Sequence, residues 1–291
     1  MTFKQLIDHY ETMCLNLNKS EFVVKYMTME LSQLEPHMFY MNLNEEVDAL
    51  LLKKIEHAMH QYMNEHIPVD YILGYRYFFG YPFMVNEHVL IPRNETEELV
   101  EHVLMYMDNM KKPLKLLDLG TGSGCIGLTS KKEMIDLDVT LADISPEAIE
   151  VAKKNADSLH IDVTYIVSNW FSNIDDQYDI IVCNPPYIPE DEAIGDTVDK
   201  EPSLALYGGQ NGFKHYEEVL SQAPKYLNRH GLMAFEHGYN QKEGIHLLIK
   251  KYFKDATILT IKDLQDKERM TFFSPNNASL IKEVSYENRN R

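Results

Sequence analysis

Residues 180–189 read IIVCNPPYIP: an apolar, partly β-branched run that ends on a neutral amide, two residues without a backbone N–H, and a tyrosine. The plain structural account is that Pro185 and Pro186 stop a strand and Asn184 caps a turn. A chemical account is also open. The side-chain oxygen of Asn184 and the carbonyl of Pro185 could each accept one N–H of a planar NH2 group, whose delocalised lone pair makes it a poor nucleophile. A carboxamide or an aminopurine carries such a group. Pro185 confines Asn184 to extended backbone and Pro186 does the same to Pro185, so both acceptors are in place before substrate arrives, with the Tyr187 ring as a wall. Asparagine stays neutral at physiological pH. The chemistry implied is therefore orientation and desolvation, with the proton leaving after the nitrogen has reacted.

A second constellation precedes it. LKLLDLG runs straight into TGSGCIG, placing Gly120, Thr121, Gly122, Ser123, Gly124 and Gly127 at a strand-to-helix turn, where glycine lets a ligand approach the helix N-terminus. Gly122 to Gly127 satisfies G-x-G-x-x-G, and Asp143 lies about 20 residues on, a spacing shared by nicotinamide and other adenosine-containing ligands. Asp118, two residues ahead of the glycines, is expected to face the ligand. A carboxylate there disfavours a pyrophosphate and favours S-adenosylmethionine, which carries an ammonium and a sulfonium. Asp143 accepts from ribose hydroxyls or, since Ser145 and Pro146 follow, caps a helix. Trp170, the single tryptophan, stands in SNWF, where its ring packs on an adenine or belongs to the core.

The elements that must position these residues follow from periodicity. Residues 1–70 are predicted to form a small helical domain. Asn44 is its candidate N-cap for a helix carrying Val47, Leu50, Leu51, Ile55, Ala58, Met59 and Tyr62, and Met27, Met29, Met38, Met41, Met59 and Met63 serve as packing between helices. Pro68 ends that region. Residues 71–92, rich in aromatics and glycine, suit a β-hairpin linker. Thr96 then precedes a helix with Leu99, Val100, Val103, Leu104 and Met107 on its inner face. From Pro113, strands near 114–119, 138–143, 162–168, 178–183 and 231–236 alternate with helices near 123–133, 146–158 and 212–228. The chain closes on a helix and two strands, 256–261 and 270–273, that suit an antiparallel edge. The alternation predicts an α/β domain over 93–291, its mostly parallel sheet covered on both faces.

Composition excludes other classes. In 291 residues, 28 basic against 45 acidic side chains give a net charge of −17, which opposes stable binding to a polyphosphate backbone. No segment reaches the roughly 20 apolar residues of a membrane span, and the first residues lack a signal-peptide core. Cys14, Cys125 and Cys183 are an odd number, widely spaced, and read as reduced buried thiols of a cytoplasmic protein with neither a disulfide framework nor a metal site.

NPPY after a strand, paired with DLGTGSG, resembles the amino-methylating S-adenosylmethionine-dependent methyltransferases. Six further blocks narrow this: VDYILGYRYFFGYPFMVNEHVLIPRNETEELVE, SNWFS, EPSLALYGGQNGFKHY, GLMAFEHG, KDLQDKERM and a helical N-terminal region of suitable size. Over essentially the whole chain it resembles the bacterial release factor glutamine methyltransferases, the PrmC/HemK family. The resemblance implies a class I (Rossmann-like) seven-stranded methyltransferase domain beside a small N-terminal helical bundle. It implies methyl transfer from S-adenosylmethionine, leaving S-adenosylhomocysteine, to the glutamine amide of the Gly-Gly-Gln motif in class 1 peptide chain release factors. Asp118, Gly120 to Gly124, Asp143, Trp170 and Asn184 would bind the cofactor, Asn184 to Tyr187 would hold the glutamine, and the helical domain of a monomer would recognise the release factor. Arg93, Thr96 and Glu97 match a block near the active site. Asn94 departs from the family's second proline, and Asp266 from a glycine. Gly208, Gly209 and Gln210 spell the substrate motif within the chain and are expected to be a plain turn; Glu236 and His237 are expected to shape the strand end. The rival activities are a DNA or RNA adenine N6-methyltransferase, opposed by the charge, and a nicotinamide-dependent oxidoreductase, opposed by Asp118.

Overall fold

The computed structural model describes residues 1–281 and divides into two compact units. Met1–Tyr75 with Ile194–Lys200 form the first; Arg76–Ala193 and the described chain from Glu201 onward form the second. Residues 282–291, placed by sequence in the methyltransferase domain, lie outside the described residues.

The first unit contains helices α1 (Phe3–Asn16), α2 (Phe22–Ser32), α3 (Pro36–Met41), α4 (Ala49–Asn64) and α5 (Val69–Leu73). Thr2 and Gln5 close a capping box at the start of α1. The cap of α4 is Asp48 rather than Asn44: its Oδ1 accepts from the backbone N–H of Leu50 at 2.8 Å and Leu51 at 3.2 Å. The stripe Ile55, Ala58, Met59, Tyr62 and Met63 packs with Leu6, Val24, Met27 and Phe39, whereas Leu50 on the first turn is exposed. Met27, Met59 and Met63 fill the core as expected, but Met38 and Met41 face solvent. Pro68 does not end the helical region; it opens α5, which stops at Gly74 with φ 83°.

β1 (Tyr75–Phe78), in the second unit from Arg76 onward, and β2 (Tyr81–Met84) form the hairpin, and α6 (Asn94–Met107) follows. Asn94 opens this helix, so Thr96 lies inside its first turn rather than before it. Then come β3 (Lys115–Leu119), α7 (Cys125–Glu133), β4 (Asp138–Asp143), α8 (Pro146–Leu159), β5 (Thr164–Val167), β6 (Tyr178–Cys183), α9 (Ser203–Leu206), α10 (Lys214–Gln222), β7 (Leu227–Glu236), α11 (Lys242–Tyr252), β8 (Thr257–Lys262) and β9 (Glu268–Ser274). The helix expected over 212–228 is shorter, because Pro224 cannot donate to the preceding turn and β7 has begun by Leu227.

Seven strands pair in the order β5-β4-β3-β6-β7-β9-β8, parallel except for β9, which is antiparallel to both neighbours. This is the class I Rossmann-like methyltransferase sheet. Alternate residues enter opposite layers: Leu116, Ile180, Val182, Leu232 and Ala234 on one side, Leu117, Ile181, Cys183, Met233 and Phe235 on the other. The strand order reverses at β3, flanked by β4 and β6, with Asp118 in register with Leu141 and Val182. The turns leaving β3 and β6 therefore emerge side by side at the carboxyl edge, where open α/β sheets bind ligands. Cys14, Cys125 and Cys183 are free and buried, and no helix among the described residues is long and apolar enough to cross a membrane.

Candidate active site

A cavity of about 290 Å³ opens at that edge. Gly120, Thr121, Gly122, Ser123, Asp143, Trp170, Asn184 and Pro186 line it, joined by Arg93 and Thr96 from the start of α6 and by His215 and Glu218 of α10. Asp118, Gly124, Pro185 and Tyr187 are not among the lining residues.

The position of Asp118 corrects the expectation that its carboxylate faces a ligand. The side chain is fully buried, and its Oδ2 accepts from Thr121 Oγ1 at 2.6 Å and from the Gly127 N–H at 2.9 Å, which turns it beneath the loop. A Cβ on Gly127 would come within 3.1 Å of Asp118 and 2.3 Å of Leu141 Cδ2, so only glycine permits this approach. Burial pushes the Asp118 carboxyl up to about 6, against the two hydrogen bonds. Asp143 supports the loop from the rim: its Oδ2 accepts from the Gly122 N–H at 2.8 Å and its Oδ1 from Ser145 N–H at 2.9 Å. The helix-capping role belongs instead to Ser145, whose Oγ accepts from Ala148 N–H at 3.1 Å. Burial raises the Asp143 carboxyl above its ordinary range. Gly120, Gly122 and Gly124 adopt φ of 78°, 54° and 83°, the left-handed region.

Trp170, itself at φ 49°, sets its ring against Gly120, 3.6 Å from where a Cβ would stand. Its Nε1 donates to Glu218 Oε2 at 2.9 Å, and the same oxygen lies 3.0 Å from His215 Nδ1. Sequence reasoning missed both α10 residues. Polar positions on an amphipathic helix carry no signal that separates a cavity wall from a solvated face.

At the other wall, Asn184 Nδ2 donates to Thr96 Oγ1 at 3.4 Å, and Thr96 Oγ1 donates to Glu236 Oε2 at 2.6 Å. Glu236 is 1% exposed, and burial pushes its carboxyl up to about 7 despite the Thr96 bond and the nearby Arg269 charge. The backbone of NPPY is braced from behind. Gln241 Nε2 donates to Tyr187 O at 3.0 Å. A Cβ on Gly208 would sit 2.6 Å from Pro186 O, and one on Gly212 2.3 Å from Tyr187 O. Gly208, Gly209 and Gln210 thus belong to a turn whose glycines let it pack on the NPPY carbonyls, and Gln210 is exposed. The Tyr187 hydroxyl is held above its ordinary range by burial and the Glu236 charge.

Arg93 bridges to the buried Glu201 at 2.6 Å, and Glu201 also accepts from Ile91 N–H at 3.0 Å. Glu97 accepts from Phe79 N–H at 2.9 Å and anchors the hairpin. His237 is off the cavity, with Nε2 2.9 Å from Thr271 Oγ1, and burial holds it down to about 4. Asn94 accepts from Arg76 at 2.9 Å, and Asp266 takes a left-handed φ of 63°, which explains why a glycine suits that turn.

Residues 97–201 match the Methyltransferase small domain family. A release factor glutamine methyltransferase from Streptococcus pneumoniae is 36% identical over 93% of this chain and 97% of its own length, and one from Francisella tularensis is 40% identical over 80% and 82%. This chain belongs to the release factor glutamine methyltransferase family. It is an S-adenosylmethionine-dependent methyltransferase. In fold it is similar to a methyltransferase from Pyrococcus furiosus, with a TM-score of 0.51 at 15% identity over 79% of this chain and all of the other.

The cavity fits such a cofactor. Around the position a Cβ would take on Gly122 there is no heavy atom within 4 Å. Ser123 Oγ, buried beside it, has no hydrogen-bond partner among the described residues. A polar donor beside an open backbone is what a ligand with carboxylate, ammonium and ribose groups requires.

Proposed function

We propose that this enzyme methylates the side-chain amide nitrogen of the glutamine in the Gly-Gly-Gln motif of class 1 peptide chain release factors. One observation carries the reading: Asn184 and the Gly120–Ser123 loop line the same cavity, so a held amide and a methyl donor would meet there. The names of the S. pneumoniae and F. tularensis relatives support the substrate. In this reading Asp143 receives the ribose, Trp170 lies along the adenine, and the loop N–H groups at the start of α7 receive the carboxylate. Asp118 acts by holding the loop.

When bound, S-adenosylmethionine supplies an electrophilic methyl group. The chain supplies orientation. Asn184 Oδ1 and the Pro185 carbonyl each accept one N–H of the glutamine amide, leaving the nitrogen lone pair aimed at the cofactor side of the cavity. Pro185 and Pro186 hold both acceptors in extended backbone, and Tyr187 stiffens the wall. A residue that removes the amide proton beforehand is unnecessary, because the methylated nitrogen is acidic enough to lose it to water. The helical unit recognises the release factor, and the enzyme works as a cytoplasmic monomer.

The test is direct. Incubation with S-adenosylmethionine and purified release factor, followed by digestion and mass spectrometry, is expected to show one added methyl on the glutamine peptide. An unmodified peptide, with methylation of an adenine-containing oligonucleotide instead, overturns the reading.

A further inference from the structure

The geometry points to Thr96 and Glu236 as positioning residues that decide which end of the Asn184 amide faces the substrate. This rests on the reading of Asn184 as the amide clamp. The two ends of a carboxamide are nearly equal in size, and a half-turn about the last side-chain bond exchanges oxygen for NH2. Only one orientation works, since an NH2 turned toward a substrate NH2 sets donor against donor.

With the Glu236 carboxyl ionised, the one proton of Thr96 Oγ1 is given to Glu236 Oε2 at 2.6 Å. What remains on that oxygen is acceptor capacity alone, and Asn184 Nδ2 meets it at 3.4 Å. In the exchanged orientation, Asn184 Oδ1 would oppose the Thr96 lone pairs with no proton between them. Solvent has little access to the contact, because Thr96 is 2% and Glu236 1% exposed. A buried acceptor facing a buried acceptor is unfavourable, which biases the amide toward the orientation with NH2 on Thr96. Glu236 is itself fixed at its backbone, where Tyr216 Oη donates to its carbonyl at 2.8 Å. Arg269 of β9 and Glu95 of α6 are the charged groups near its carboxyl.

The partners come from α6, the turn after β6 and the end of β7, separated by 88 residues (Thr96 to Asn184) and 140 (Thr96 to Glu236). A buried carboxylate at a strand end is costly to keep, and an apolar residue would pack there more cheaply. Its use is the directed acceptor.

The experiment has two independent readouts. In protein labelled with 15N-asparagine, the Asn184 NH2 signal is identified by its loss in Asn184→Ala, and its hydrogen exchange is measured. Thr96→Val, which keeps shape and removes the hydroxyl, is expected to speed that exchange at least about tenfold, and Thr96→Ser to restore it. With release factor as substrate, Thr96→Val is expected to lower kcat about 30-fold while the KM for S-adenosylmethionine stays within about threefold, and Thr96→Ser to recover most of the loss. Exchange and kcat both unchanged in Thr96→Val would overturn the assignment. If that variant does not fold, Glu236→Gln, which can turn an NH2 toward Thr96 and free its hydroxyl to donate to Asn184, is read in the same two ways. If the wild-type enzyme leaves release factors unmodified, the proposed function fails, while the exchange measurement still decides the orientation of Asn184.

Discussion

The two walls of the cavity are held in different ways. The glycine loop is braced mostly from nearby in sequence: Thr121 to Asp118 spans 3 residues, Gly127 to Asp118 9, Gly122 to Asp143 21 and Ser123 to Asn155 32. The NPPY wall is braced from afar, by Thr96 at a distance of 88 residues and Gln241 at 54, and by the backbone of the turn at Gly208 and Gly212. The first wall is shaped largely by its own segment; the second exists only after β6, β7, α6 and α11 have come together. Damage to the loop should therefore be felt as weakened cofactor binding, and damage to the clamp as slow turnover with the cofactor still bound.

The largest expected effect tests that split. Asn184→Ala should lower kcat on release factor by about a thousandfold, the scale of losing a preorganised polar group that touches the reacting centre. Calorimetry should find cofactor affinity within about threefold of wild type. A comparable loss of affinity would place Asn184 mainly in the cofactor wall and merge the two regions.

Next come the glycines that admit the bracing. Gly212→Ala forces a side chain onto a backbone at φ 71° and brings a Cβ within 2.3 Å of Tyr187 O, a backbone atom that cannot step aside. Overpacking and left-handed strain together are expected to cost about 3–4 kcal/mol of stability, with a fall in kcat as NPPY shifts. Gly127→Ala strikes Leu141 Cδ2 at 2.3 Å and Asp118 at 3.1 Å, and should instead raise the cofactor Kd. Urea unfolding with calorimetry separates the pair, and the same phenotype from both would break the comparison.

The difference in bracing also explains what was readable in sequence. The strand-and-glycine pattern of LLDLGTGSG is local, so the loop, its place after β3 and the antiparallel end of the sheet follow from periodicity and turn chemistry. Even there, the direction in which Asp118 points depends on the hydroxyl of Thr121 and on Gly127 beyond the turn, and spacing alone had it facing the ligand. NPPY announces an amide site, yet nothing adjacent to Asn184 names Thr96 or Glu236. Cα spacing cannot say that the first turn of α6 lies under the end of β6. Glu201 and Glu218 were invisible for the same reason: each becomes part of the site through a partner on another element, Arg93 and Trp170, and His215 joins through Glu218. At α4, Asn44 and Asp48 are both good caps by residue type, and the helix uses Asp48, directly after the buried Val47.

Asp118 sharpens the account of the cofactor wall. Its carboxyl, raised from 3.8 to about 6 by burial, binds its proton more tightly in the folded state. Stability present below about pH 4 is thus lost as pH rises toward about 6 and is flat above. Asp118→Asn keeps an acceptor for Thr121 and Gly127 and has no charge to bury. The variant should not show that loss, so the stability difference between the two proteins should move in its favour by up to the order of 3 kcal/mol across that window. Denaturant unfolding of both proteins between pH 4 and 7 checks this, with the remaining titrations cancelling in the difference. Cofactor affinity should stay within about threefold; a collapse would show that Asp118 acts by its charge and not by holding the loop.

The smallest expected effect concerns a distant brace of the cofactor wall. Trp170 Nε1 reaches Glu218 across 48 residues at 2.9 Å, and His215 shares the acceptor. Glu218 is partly exposed, so water can replace it and the net worth of the contact is about 1 kcal/mol. Glu218→Ala is accordingly expected to weaken cofactor binding about fivefold, leaving kcat at saturating cofactor within about twofold. A kcat that falls while affinity holds would mean that α10 braces the clamp as well as the cofactor wall. Long-range bracing would then be a property of the whole cavity, and the local character of the glycine loop would matter less than its sequence suggests.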